Sequence, residues 1–326
     1  MDEPATPPYL WIPGLGPDPD ALRRLRERAP RPRKPMGEAW FMGGDRHYYT
    51  GLMAGAATDW ALSELENALT ELTSGPTSFD HLDEWSLWFD YLLPRAQERA
   101  DETWHLHELL VSAVCVHCLD PALPGRDAEF RRDLLDTLGR ALMAPSRWRD
   151  GRIVADRVLD PLRDYVYGWT LESGAAFSAI CSLALRYLET DAVDAWIGSL
   201  LAIDDPLWRA VFVVWLDGAE PLLFEDSQPE QAAHDPMKNI AWDWCWVLRG
   251  SVPSPRLDPQ ARVYAFFPPA NVAALAAALR RRLGLDALSQ WSDALRAACG
   301  ESRDPGTALW QFETSALRVA ERFGLD

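Results

Sequence analysis

The sequence predicts an all-α protein, an irregular multi-helix bundle or a degenerate helical-repeat array of roughly 11–13 helices with little or no strand. Three observations lead there. Asp-Pro occurs seven times, at Asp18, Asp120, Asp160, Asp205, Asp235, Asp258 and Asp304, and most of these pairs precede an amphipathic run. An aspartate carboxylate accepts the orphan amides of a first helical turn, and proline suits the first helical position because its missing N–H would be unpaired there. Apolar residues also recur with helical spacing, and strand candidates are scarce: "VYAFF" at 263–267 is the best and is short.

Taken in order, a first helix fits 19–28 behind Asp18-Pro19. The next, 58–73, places Ala61, Leu65, Leu69 and Leu72 on one stripe. Helices then fit 80–93, with Trp85, Trp88, Phe89 and Leu92 as its core face, and 94–119, beginning at Pro94. The run 127–143 repeats the pattern through Phe130, Leu134, Leu138 and Leu142. Further helices fit 174–189, 191–203, 206–216, 236–249, 270–283, 286–299 and 305–323, with Gly250 and Gly284 where C-terminal glycines belong. Intervals between Asp-Pro pairs are too uneven to define a repeat.

Residues 1–50 form a Pro-rich, partly basic N-terminal arm, and 51–326 an acidic all-helical domain. The arm's basic tract holds seven bases in the twelve positions from Arg23 to Lys34. We read it as a short helix followed by a proline-rich connector lying on the acidic body, rather than as a nucleic-acid arm.

Charge bounds the partners. The net charge is -17, with 49 acids against 32 bases. A basic footprint for nucleic acid or anionic lipid is therefore missing, and a basic protein is the expected partner. No apolar run is long enough to span a membrane. The acidic, proline-rich start lacks the pattern of a signal peptide, and five scattered cysteines suit a reducing compartment, so we expect a cytoplasmic protein.

The stretch "ETWHLHELLVSAVCVHCLDP" concentrates three histidines with Cys115 and Cys118. "CVHC" resembles the active-site motif of thioredoxin-fold thiol oxidases over four residues. That family holds its nucleophilic cysteine at a helix N-terminus, where the dipole favours thiolate. Here Asp120-Pro121 opens the next element, which places both thiols in a last turn, so we expect them to pack as small hydrophobes. Helical geometry sets His105 and His107 on opposite sides and leaves His105 with Glu108 as a chelating pair. His81 with Glu84 has the same spacing. Together the four residues define an alternative: a metal-dependent enzyme, reminiscent of di-metal carboxylate bundles, although those use Glu-x-x-His.

Other catalytic patterns are incomplete. His234-Asp235 resembles the ligand pair of HD phosphohydrolases, and "DDPLW" at 204–208 the acidic motif of class I terpene synthases. Both aspartate-proline pairs read better as helix caps. No Gly-x-Ser-x-Gly elbow is present. We expect no catalytic residue and no cofactor.

The stretch "LDGAEPLLFEDSQPEQAAHDP", 216–236, carries six acids and no lysine or arginine. Proline and glycine mark it as a loop, and apolar residues lie inside it. Acids around an aromatic anchor suit a basic protein surface. The candidate partner-binding residues are Asp217, Glu220, Leu223, Phe224, Glu225, Asp226 and Glu230, joined by Trp244 from "NIAWDWCWVLRG". The expected function is protein binding, as an antidote or immunity-type inhibitor of a basic partner; a helical-repeat scaffold is a further alternative.

Overall fold

The computed structural model of the chain describes residues 8–36, 49–73, 82–99, 102, 104–114, 126–154, 159–161, 169–171, 175–224, 267–299 and 306–326. Eleven α-helices carry the fold among these residues: α1 Pro19–Arg28, α2 Leu62–Thr73, α3 Leu82–Gln97, α4 Trp104–Ala113, α5 Ala128–Asp136, α6 Ala175–Tyr187, α7 Thr190–Leu201, α8 Pro206–Leu223, α9 Pro269–Arg282, α10 Leu285–Cys299 and α11 Gly306–Phe323. The all-α expectation holds. Helices pair across the sequence, α1 on α3 and α5, α2 on α4, α7 on α9 and α8 on α11. A repeat array would stack each unit only on its neighbours, so the packing is that of an irregular bundle.

Helix α1 begins where its cap dictates, with Asp18 Oδ1 accepting from the Asp20 amide at 2.9 Å. Three of its four arginines are matched to acids elsewhere in the fold. Arg24 donates through Nε and Nη2 to buried Asp133 on α5, at 3.0 and 2.7 Å. Arg26 pairs with Glu98 and Arg28 with Asp127 and Glu129. The residues before α1 enter the core: Tyr9 donates its hydroxyl to the Leu135 carbonyl at 2.9 Å, and Trp11 meets Trp196 and Trp208 edge-on at 5.3 and 5.8 Å.

Several boundaries differ from expectation, each for a physical reason. Helix α3 runs through Pro94 instead of stopping before it. Proline removes one backbone donor and crowds the preceding turn, but Trp85, Trp88, Phe89, Tyr91, Leu92 and Leu93 are all buried, and that packing holds the helix together. Arg95 Nη1 also donates to the Tyr91 carbonyl at 2.7 Å. The run 127–143 divides at Thr137, whose hydroxyl bonds back to the Asp133 carbonyl at 2.7 Å; a 3-10 turn follows over Leu138–Met143. Phe130, Leu134, Leu138 and Leu142 are nonetheless all buried.

Helix α8 overturns the expected stop at 216. Asp205 caps it, its Oδ1 accepting from Trp208 N at 2.8 Å, and it continues past Gly218 and Pro221 to Leu223. Leu216, Ala219, Leu222 and Leu223 are buried at helical spacing. Their burial outweighs the local signals of a glycine and a proline, which cost roughly 1 and 3 kcal/mol in isolation.

Two short hairpins were not anticipated. β1 Trp148–Arg149 pairs with β2 Arg152–Ile153 around Asp150 and Gly151, both at positive φ (52° and 75°). This is the Asp-Gly turn whose twist matches antiparallel strands. β3 Leu159–Pro161 pairs antiparallel with β4 Trp169–Leu171, so Asp160-Pro161 lies in a strand. Gly284 does not close α9 in a left-handed turn as expected. It precedes α10, and a Cβ there would stand 2.7 Å from the Asp326 carbonyl oxygen.

Tyr9, Trp11, α2, α3, the 138–143 turn, α6, α8 and the last three helices contribute to one buried apolar cluster that extends to Leu325. Trp85, Trp88, Trp196, Trp208 and Trp215 lie fully inside it. No helix among the described residues is long and apolar enough to cross a membrane. Of the expected strand 263–267 only Phe267 is described, as a buried bend residue; the expected helix 236–249 and Gly250 lie outside the described residues.

Candidate functional site

The acidic stretch that suggested a binding loop begins on helix α8, and its first charges face inward to α11. Asp217 is 6% exposed. Its Oδ2 accepts from the Ser315 hydroxyl at 2.9 Å and from Arg318 Nη1 at 3.2 Å. One turn on, Glu220 meets Arg322 Nε at 3.0 Å. The two pairs form a ladder, with acids three apart on α8 opposed by bases four apart on α11.

The apolar residues of the stretch also turn inward. Leu223 is buried. Phe224 packs edge-on against Phe323 at 5.3 Å, and the Arg322 guanidinium lies 4.3 Å from the Phe224 ring centroid. The structure thus brings Asp217, Glu220, Leu223 and Phe224 together along one helix junction. Glu225, Asp226, Glu230 and Trp244 lie outside the described residues. Beside the ladder is a groove of about 520 Å³ whose walls include Leu216, Glu220, Val319, Glu321 and Phe323.

Sequence reasoning missed the α11 half of this junction. Ser315, Arg318 and Arg322 follow at three-four spacing and share one side of a helix, which was a readable signal. It also missed Trp310 and Leu317, seven residues apart on the outer face of α11 and both exposed.

A second cluster was also missed. His107 on α4 is buried, with Nδ1 3.0 Å from Arg147 Nη2. The guanidinium can only donate, so Nδ1 is the unprotonated acceptor. Burial, and then the Arg147 charge, hold this imidazole well below its ordinary pKa of 6.5. It is a neutral acceptor at physiological pH, suited to fastening α4 to the turn at 145–147.

Of the alternative metal ligands, Glu84 lies on α3, partly buried. His81 and the side chains of His105 and Glu108 lie outside the described residues. Among the described residues no three His, Cys, Asp or Glu side chains are grouped to hold a metal. Cys181 and Cys299 are buried, and burial pushes both thiols up, away from nucleophilic thiolate. Cys115 and Cys118 lie outside the described residues.

The chain matches no protein-family model, no curated protein and no solved structure. Its class rests on its own geometry: an irregular all-α bundle with an acidic surplus.

Proposed function

We propose that the protein works by binding a basic protein, in the manner of an antidote or immunity-type inhibitor that caps the cleft of a cationic enzyme. The observation that carries this reading is the net charge of -17. A surplus of that size speeds encounter with a cationic partner and repels nucleic acid and anionic lipid. Exposed Asp150, Asp191, Asp286, Asp293 and Glu321 support it, since none has a cationic partner among the described residues. Exposed arginines such as Arg132 and Arg149 reduce the surplus locally without reversing the total.

Within the acidic stretch, Asp217 and Glu220 face Arg318 and Arg322; the other proposed acidic contacts, Glu225, Asp226 and Glu230, lie outside the described residues. The reading includes a cytoplasmic location, supported by the buried free thiol of Cys181.

The test is association of the purified chain with basic toxin-type enzymes, measured by surface plasmon resonance at rising salt together with residual enzyme activity. The expected result is inhibition, with an association rate that falls steeply as ionic strength rises. Failure to bind any such enzyme at low salt would overturn the reading.

A further inference from the structure

The last helix turns a ridge of side chains away from the body. On α11, Trp310, Thr314, Leu317 and Glu321 succeed one another at four-three-four spacing and fall within about 60° of arc. Trp310 is 59% exposed and Leu317 73%, the two most exposed large apolar side chains among the described residues. They stand two turns apart, about 10 Å along the axis.

Both flanks of the ridge are closed by internal contacts. Toward α10, Glu313 accepts from Ser292 at 2.8 Å and Arg296 at 3.0 Å. Toward α8, Arg318 is held by Asp217. Glu321, on the ridge itself, has no cationic partner among the described residues.

Single exposed apolar residues are ordinary on protein surfaces. A tryptophan and a leucine two turns apart on one ridge are instead the anchor spacing by which helices engage helices, and tryptophan is the residue most enriched at binding hot spots. Charge selects the occupant. A second copy would bring one -17 body against another, and its own Glu321 would add to the repulsion. A cationic helix would relieve that repulsion and give Glu321 a counter-charge.

We infer that the Trp310–Leu317 ridge docks an amphipathic helix of a basic protein, its apolar face on Trp310 and Leu317 and a lysine or arginine beside Glu321. This rests on the proposed function, and adds to it the docking helix and the form of the partner's contact.

The experiment uses the full chain and two synthetic peptides of identical Leu/Lys composition. One is patterned as an amphipathic helix; the other is scrambled to have no apolar face. Isothermal titration at about 0.15 M salt is expected to show the patterned peptide binding at least about tenfold tighter. The double variant Trp310→Ser, Leu317→Ser is expected to lose that preference while binding the scrambled peptide as before. Glu321→Lys is expected to weaken the patterned peptide about two- to threefold. Circular dichroism confirms that each variant is folded.

Equal binding of the two peptides by the wild type, or a preference that survives the double variant, overturns the docking ridge and leaves the proposed function standing. A wild type that binds neither peptide even at low salt overturns both. Sedimentation showing a dimer that Leu317→Ser abolishes would assign the ridge to a second copy and overturn the inference.

Discussion

Ser315 on α11 donates its hydroxyl to the Asp217 carboxylate on α8 across 2.9 Å, deep enough that Asp217 is only 6% exposed. The contact explains why a segment rich in turn signals is helical. A buried carboxylate needs partners, and α11 supplies a hydroxyl and a guanidinium only when α8 continues through Gly218. The bond and the helix require each other.

Replacing Asp217 by alanine therefore strands Ser315 and Arg318 and is expected to cost about 2–4 kcal/mol. Arg318→Ala removes a half-exposed partner and is expected to cost about 1 kcal/mol or less. Urea unfolding of the two variants checks the order. Equal losses would mean that the junction is held by its apolar residues alone.

The buried contact of His107 with Arg147 makes stability depend on pH in a defined direction. The folded pKa lies below the ordinary 6.5, so the unfolded chain takes up a proton that the folded chain excludes. This contribution is intact above about pH 6.5 and is lost as pH falls below it toward the folded value. Thermal melts from about pH 7.5 down to about pH 5 should fall more steeply for wild type than for His107→Asn. Asparagine keeps an acceptor near the Nδ1 position and cannot titrate. Parallel curves would show that His107 does not contribute.

Trp11 tests whether the N-terminal arm holds the core together. Its amide donates to Ser199 Oγ at 2.9 Å, its indole donates to Tyr9 at 3.2 Å, and its ring fills the space between Trp196 and Trp208. Trp11→Ala is expected to cost about 3–5 kcal/mol, read as a lowered melting temperature. A loss under about 1 kcal/mol would mean that the core closes without the arm.

Asp205 does two jobs with one carboxylate. Oδ1 caps α8 at Trp208 N, while Oδ2 accepts from Ile153 N at 3.2 Å and so ties the β1–β2 hairpin to the helix start. Asp18 caps α1 with a single, exposed bond. Asp205→Ala is expected to destabilise by about 2–3 kcal/mol, since it leaves two buried amides unpaired, against about 1 kcal/mol for Asp18→Ala. Denaturant midpoints of the two variants measure the difference.

The sequence by itself determined the class of fold and, for several core helices, the stripe that each buries. Leu65, Leu69 and Leu72, then Trp85, Trp88 and Phe89, and later Phe130 and Leu134, repeat with the period of a helix, and that period needs no knowledge of neighbours. The caps at Asp18 and Asp205 were legible for the same reason, because the proline and the carboxylate act within one turn.

What only the tertiary structure decided is where local signals yield to distant partners. Gly218 and Pro221 mark a turn on their own terms; Ser315 and Arg318, about a hundred residues further on, make the same segment a helix. Pro94 likewise sits inside a helix that is buried on nearly every side. The pairing of His107 with Arg147, the Asp-Gly hairpin's tie to Asp205, and the outward face of Trp310 and Leu317 depend on which helices meet. Burial is a property of the assembled chain, and helical spacing can name a stripe without saying whether another helix covers it.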